Sequence, residues 1–152
     1  MDLEFGSEYD EFTKEVESFC KEYSNAIITT SNDKKFDMHD ALSGNSNEKS
    51  GKIVNRSDWQ RLLIEKGYFA RSIPKEYGGY GGEPDIIKSR IIATEFSKHK
   101  VPNAMGGQGI DMLVPTLLEW GTEEQKQKYI KSTLHGETIW CQGYSEPNAG
   151  SD

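Results

Sequence analysis

Tyr9, Phe12, Val16, Phe19, Cys20 and Tyr23 recur at spacings of three and four, with Glu and Lys filling the positions between them. That period predicts a helix over about residues 8 to 24, one face apolar and the other charged. Ser7 is placed to cap it, and Glu8 adds negative charge in the first turn, where the helix dipole favours it. Over 29–56 the period is lost. Ser, Asn, Asp, Lys and Gly dominate there, which predicts a long surface connection held down by Phe36, Met38 and Leu42. The period returns at Trp59, Leu62 and Leu63, behind a capping box of Ser57 and Gln60 and ahead of a C-capping Gly67. "SIPKEYGGYGG" then breaks all regular structure. It reads either as a surface loop or as backbone kept slim beside a ligand.

Pro84 suits the first residue of a helix running to about Lys98, with Ile87, Ile91 and Thr94 or Glu95 on one face. "SKHKVP" closes it with positive charge, His99 included, and a proline. Ile110, Leu113, Val114, Leu117 and Leu118 form a further stripe, which Pro115 should kink or divide. Thr122 and Gln125 predict a second capping box, opening a helix that ends at Gly136 with His135 as a cationic partner of the dipole. "TIWCQGY" is β-branched and aromatic enough to predict a strand. The expected architecture is therefore all-α, four to six helices with one terminal β-strand. A lone strand leaves its backbone groups unpaired, so it pairs with something outside the chain or the chain is a piece of something longer.

The length of 152 residues fits one domain, and aromatics at 11% argue against wholesale disorder. A net charge of -7, with no Lys/Arg cluster, speaks against a nucleic-acid partner. The acidic start "MDLEFGSEYDEF" has no apolar segment of a secretory signal, and no apolar run approaches 18 residues. A cytoplasmic chain without a membrane span is the expectation. Cys20 and Cys141 lie far apart without a CxxC spacing, which predicts reduced, buried thiols and no metal site. Gly106, Gly107 and Gly109 do not form GxGxxG and follow no strand, so a dinucleotide fingerprint is rejected.

The closing "GYSEPNAGSD" holds the remaining chemistry. A Pro turn followed by Ala-Gly-Ser can aim consecutive backbone N–H groups and hydroxyls to one side, a nest for anionic oxygens. An ordinary turn is the competing reading. Ser145 lacks the GxSxG elbow of a nucleophile.

"WCQGYSEPNAGSD" resembles the flavin-binding signature of the acyl-CoA dehydrogenases: an aromatic or small apolar residue, Ser or Thr, Glu, two residues, a small residue, Gly, Ser or Thr, and Asp. "GYFARSIPKEYGGYGG" is similar to that family's Pro-Glu-x-Tyr-Gly-Gly loop, with Lys75 standing where many members carry Glu. "LLEWGTEEQKQKYI" is similar to its Gly-Thr-x-x-Gln-Lys helix start. The three matches keep order and spacing from about residue 57 to 152. The resemblance implies a helical-bundle N-terminal domain over 1–137 and, over 138–152, the opening strand of a middle β-domain. It implies FAD as cofactor and an acyl-CoA substrate. Gln142, Gly143 and Tyr144 would bring backbone to the isoalloxazine ring, and Ser145 would donate to its N5 and carbonyl edge. Gly150 and Ser151 would approach the FAD pyrophosphate, Ser151 also the CoA side of the substrate. Ala104 to Ile110 would line the acyl pocket.

The family's reaction uses a Glu base from a C-terminal domain. Glu76, Glu95, Glu119 and Glu146 show no spacing that would replace it, so no catalytic residue is assigned. Three readings follow. One is part of an acyl-CoA dehydrogenase, inactive alone. Another is a non-catalytic partner subunit or binding module of a complete enzyme, in a homo- or hetero-oligomer. The third is another flavoenzyme of the superfamily, such as an acyl-CoA oxidase or nitroalkane oxidase.

Overall fold

A computed structural model describes residues 6–29 and 52–143. It is built mainly of helices: α1 (Ser7–Glu22), α2 (Arg56–Glu65), α3 (Ile86–His99), α4 (Val114–Trp120) and α5 (Glu123–Leu134). Between α1 and α2 stand two three-residue strands, β1 (Ile27–Thr29) and β2 (Ile53–Asn55), paired in parallel with Ile27 opposite Ile53. The sequence gives no sign of this pair. Three residues are too short to show alternation, and the partners lie far apart along the chain. Phe36, Met38 and Leu42, the anchors expected in that connection, lie outside the described residues.

The helices lie close to where apolar periodicity predicts them, but their ends are set by other residues. Gly6, not Ser7, precedes α1. Asn55 caps α2, its side chain accepting from the Ser57 N–H at 2.9 Å, so the expected Ser57 box is not formed. Gln60 is instead fully buried. Asp85 caps α3 by accepting from the Lys88 N–H, which leaves Pro84 one residue outside. The Thr122–Gln125 box forms in both directions as expected. The strand expected at 138–144 is not formed by 139–143, which are neither helix nor strand. β-propensity becomes a strand only where a ladder partner exists.

Two apolar clusters hold the helices together. In the first, Val16, Phe19 and Cys20 of α1 meet Trp59 and Leu63 of α2 and Ile92 and Phe96 of α3. Phe19 stacks on Tyr23, Trp59 and Phe96 with centroids 4.7, 5.9 and 6.0 Å away, while Tyr68 meets it edge-on. In the second, Ile64 of α2 joins Val114 and Leu117 of α4 with Ile130 and Leu134 of α5. Helix α2 serves both clusters. The "SIPKEYGG" segment is packed on α5: Tyr77 is buried and donates to Glu123 Oε2 at 2.9 Å. A Cβ on Gly79 would collide with the Ile73 carbonyl oxygen, so the second glycine is demanded by this turn itself. Cys20 is buried as expected, whereas Cys141 is exposed.

Candidate functional site

Pro115 has no N–H to return to the preceding turn, and the chain ahead of it widens into a π-turn, Gly109–Leu113, before α4 begins. The Val114 N–H closes that turn on the Gly109 carbonyl. Gly107 N–H donates to Asp111 Oδ2 at 2.9 Å and fixes the entrance. Opposite stands the segment leaving α5. Thr133, buried, donates its hydroxyl to the Tyr129 carbonyl at 2.7 Å and accepts from Trp140 Nε1 at 2.8 Å. The Trp140 ring stands edge-on to Tyr129, centroids 5.5 Å apart. It also lies so near Gly109 that a Cβ there would be 2.6 Å from Trp140 Cδ1.

These two walls enclose a cleft of about 100 Å³ lined by Met105, Gly106, Gly109, Ile110, Ile139 and Trp140 among others. Across Trp140 lies a shallower groove of about 260 Å³ containing Gln108, Met112, Thr116, Cys141 and Gln142. Gln108 joins the two walls, its Nε2 donating to Gln142 Oε1 at 3.0 Å. Among the described residues no charged side chain lines either space. Their polar groups are amides, hydroxyls and backbone, suited to hydrogen-bonding a polar but uncharged edge of a flat ligand beside apolar surface.

Helix α2 supports this arrangement from behind. Trp59 Nε1 donates to the Pro102 carbonyl at 3.2 Å. Gln60 accepts from the Met105 N–H at 2.7 Å and donates to the Leu134 carbonyl at 3.2 Å.

Asp111 holds the cleft entrance through Gly107, whereas Glu76, Glu95 and Glu119, the described carboxylates weighed from the sequence, line neither space. Glu95 is buried against Lys98 and His99 at 3.2 and 3.3 Å, on α3 in the first cluster's helix pair. Glu76 and Glu119 are exposed. Burial, then the charge of Arg61, lowers the His135 pKa, so its expected role as a cation at the end of α5 is not supported. Among the described residues no group of three His, Cys, Asp or Glu side chains could hold a metal ion.

The family model described as "Acyl-CoA dehydrogenase, N-terminal domain" matches residues 6–137. The chain belongs to the acyl-CoA dehydrogenase family. It is 36% identical over 97 residues to acyl-CoA dehydrogenase IpdE1 of Mycolicibacterium smegmatis, covering 64% of this chain and 24% of that protein. It is 43% identical over 98 residues to a short-chain-specific acyl-CoA dehydrogenase of Clostridium acetobutylicum, covering 60% and 24%. The chain thus spans about a quarter of the length of these curated relatives. A solved structure, the ChsE4-ChsE5 complex from Mycobacterium tuberculosis, contains a chain that shares the fold with a TM-score of 0.55 at 24% identity, covering 99% of this chain and 33% of that one. The helical architecture is that of the N-terminal domain of an acyl-CoA dehydrogenase.

Of the residues that the acyl-CoA dehydrogenase signature singles out, Gln142 lines the groove and bonds Gln108. Gly143 follows it, exposed, with nothing within 4 Å of where a Cβ would sit. Tyr144, Ser145, Gly150 and Ser151 lie outside the described residues, as does Glu146. Within the stretch named from the sequence, residues 105–110 line the cleft. Thr133 and Trp140 had no site role from the sequence, Gln108 entered only within the Ala104 to Ile110 stretch, and Gln60 only as a capping-box residue. Only Gln60 carried a signal: an amide set between Trp59 and Leu63 on a helix whose other neighbours bury.

Proposed function

We propose that this chain forms one wall of the FAD and acyl-thioester site of an acyl-CoA dehydrogenase that converts an acyl-CoA to the 2,3-enoyl-CoA. The observation that carries the reading is the juxtaposition of Gln142, two residues ahead of the Tyr144-Ser145-Glu146 start of the flavin signature, with the π-turn through Gln108. The open space at Gly143 and the uncharged lining are compatible with a flat, polar-edged ring. Bound there, FAD would supply the hydride acceptor. Gln142, Gly143 and Tyr144 would offer backbone to the ring and Ser145 a hydroxyl to its N5 edge. A donor so aimed stabilises negative charge where it gathers. Gly150 and Ser151 would hold the pyrophosphate, and Ser151 would also face the CoA side. Residues 1–137 would form the helical domain and 138–152 the start of a β-domain.

Glu76, Glu95 and Glu119 line neither space and the Asp111 carboxylate is engaged by the Gly107 N–H, so the α-proton would be removed by a residue elsewhere, and the chain alone would be inactive. That same observation leaves room for a second reading, a non-catalytic subunit in a homo- or hetero-oligomer, supported by a fold neighbour described as a complex. An oxidase of the same superfamily would use the same wall. A cytoplasmic location accords with the reading; among the described residues no helix is long and apolar enough to cross a membrane.

The test is an FAD titration followed by visible absorbance. The 152-residue chain is expected not to bind, because it carries half of the contacts. Any longer product of the same reading frame is expected to bind FAD and lose its visible band on anaerobic addition of acyl-CoA. Flavin retained but never bleached by an acyl thioester would remove the dehydrogenase reading, and tight binding by the short chain would favour a binding module.

A further inference from the structure

Gln60 is fully buried in the middle of α2, between Trp59 and the apolar pair Leu63 and Ile64. An amide in such a place is costly unless both ends are paired, and an apolar residue would suit the helix better. Both ends are paired, and with backbone far off in the chain. The carbonyl oxygen accepts from Met105 N–H at 2.7 Å, and the NH2 donates to Leu134 C=O at 3.2 Å. Leu134 ends α5, where carbonyls have no partner within the helix. Met105 opens the run that lines the cleft and leads to Gln108. Gln108 in turn bonds Gln142.

We infer that Gln60 is a positioning residue: the buried amide that fixes the Met105–Gly109 backbone against α5 and, through Gln108, the placement of Gln142. What the cleft holds rests on the flavin reading above; the positioning stands on these bonds alone. Leucine at 60 would keep the volume and strand the buried Leu134 carbonyl and the half-buried Met105 N–H. A neutral glutamic acid would restore both bonds, its carbonyl accepting and its hydroxyl donating. The ionised form would point a charged oxygen at the Leu134 carbonyl. Burial raises a carboxyl pKa above its ordinary value of about 4.3. In Gln60→Glu the restored state is therefore present at low pH and lost as pH rises through the raised pKa.

The experiment is amide hydrogen exchange and ¹⁵N NMR on the 152-residue chain, without flavin. In Gln60→Leu, the Met105 amide is expected to exchange about tenfold faster or more, as loss of its bond to the buried Gln60 amide dictates. The Trp140 indole N–H and Gln142 backbone signals should move, while Val16 and Phe19 keep their protection. Gln60→Glu should match that spectrum at pH 8 and return toward the parent as pH falls. Unchanged Met105, Trp140 and Gln142 signals in Gln60→Leu would overturn the inference. So would an equal loss of protection throughout α1, or a Gln60→Glu spectrum indifferent to pH. Because no readout uses flavin, failure of FAD to bind leaves this result standing, and the converse holds for a longer product that binds FAD.

Discussion

At Gly109 one methyl group decides whether the cleft closes as described. A Cβ there would meet Trp140 Cδ1 at 2.6 Å and Thr133 Cγ2 at 3.0 Å. Neither neighbour is a free-swinging chain end, since the indole is bonded to Thr133 and packed on Tyr129. Gly109→Ala is expected to cost about 1–3 kcal/mol, the usual penalty of overpacking, and to shift the tryptophan emission as Trp140 is displaced. Urea denaturation and fluorescence check both; an unshifted spectrum at full stability would contradict the contact. The two thiols offer a second residue-level expectation. Burial, with Glu95 nearby, raises the Cys20 pKa to about 11, so its thiolate is scarce and covered at pH 8. Cys141 is exposed. A disulfide reagent should therefore modify one thiol quickly in the native chain and the second only on unfolding.

Among the elements, α5 is the most fully specified by local chemistry. Thr122 accepts from the Gln125 N–H while the Gln125 side chain accepts from the Thr122 N–H at 2.9 Å. Thr122→Ala should cost about 1 kcal/mol, read as a lower urea midpoint with an unchanged slope. This helix was legible in the sequence because cap and stripe agree within one turn. Helices α1, α2 and α3 were legible as stripes but not at their ends, where Gly6 and Asn55 sit in place of the expected Ser7 and Ser57, and Asp85 caps α3 beyond the Pro84 expected to begin it. Asn55 and Asp85 belong to the polar residues that cap well, so several candidates competed and tertiary position chose among them. The β1–β2 pair and Gln60's two bonds depend on residues many positions apart, and no local pattern records such a partnership. Pro115 did foretell a break, though not that the break would be a π-turn forming a wall.

At the scale of the whole molecule, two clusters share α2, and charge placement adds a pH dependence. His135 has its pKa lowered below 6.5, first by burial and then by Arg61. The folded state therefore resists protonation there while the unfolded state accepts it. Stability is intact above 6.5 and falls as the pH drops from 6.5 toward the lowered folded value. His135→Gln should flatten that part of a stability–pH curve. Glu17 and Glu123, both held below 4.5 mainly by hydrogen bonds from Lys21 and from Gln127 and Tyr77, act at more acid pH and should be unaffected.

The pairing of α1 with α3 also has a consequence for how the chain is made. Val16, Phe19 and Cys20 leave the ribosome well before Ile92 and Phe96, which cover them. At about 5–20 residues per second the apolar stripe of α1 waits several seconds for its cover. Helices α4 and α5, separated only by Gly121 and Thr122, can close on each other almost as soon as they emerge. The vulnerable moment in synthesis thus belongs to α1, and a chaperone that grips short apolar segments would find its hold there.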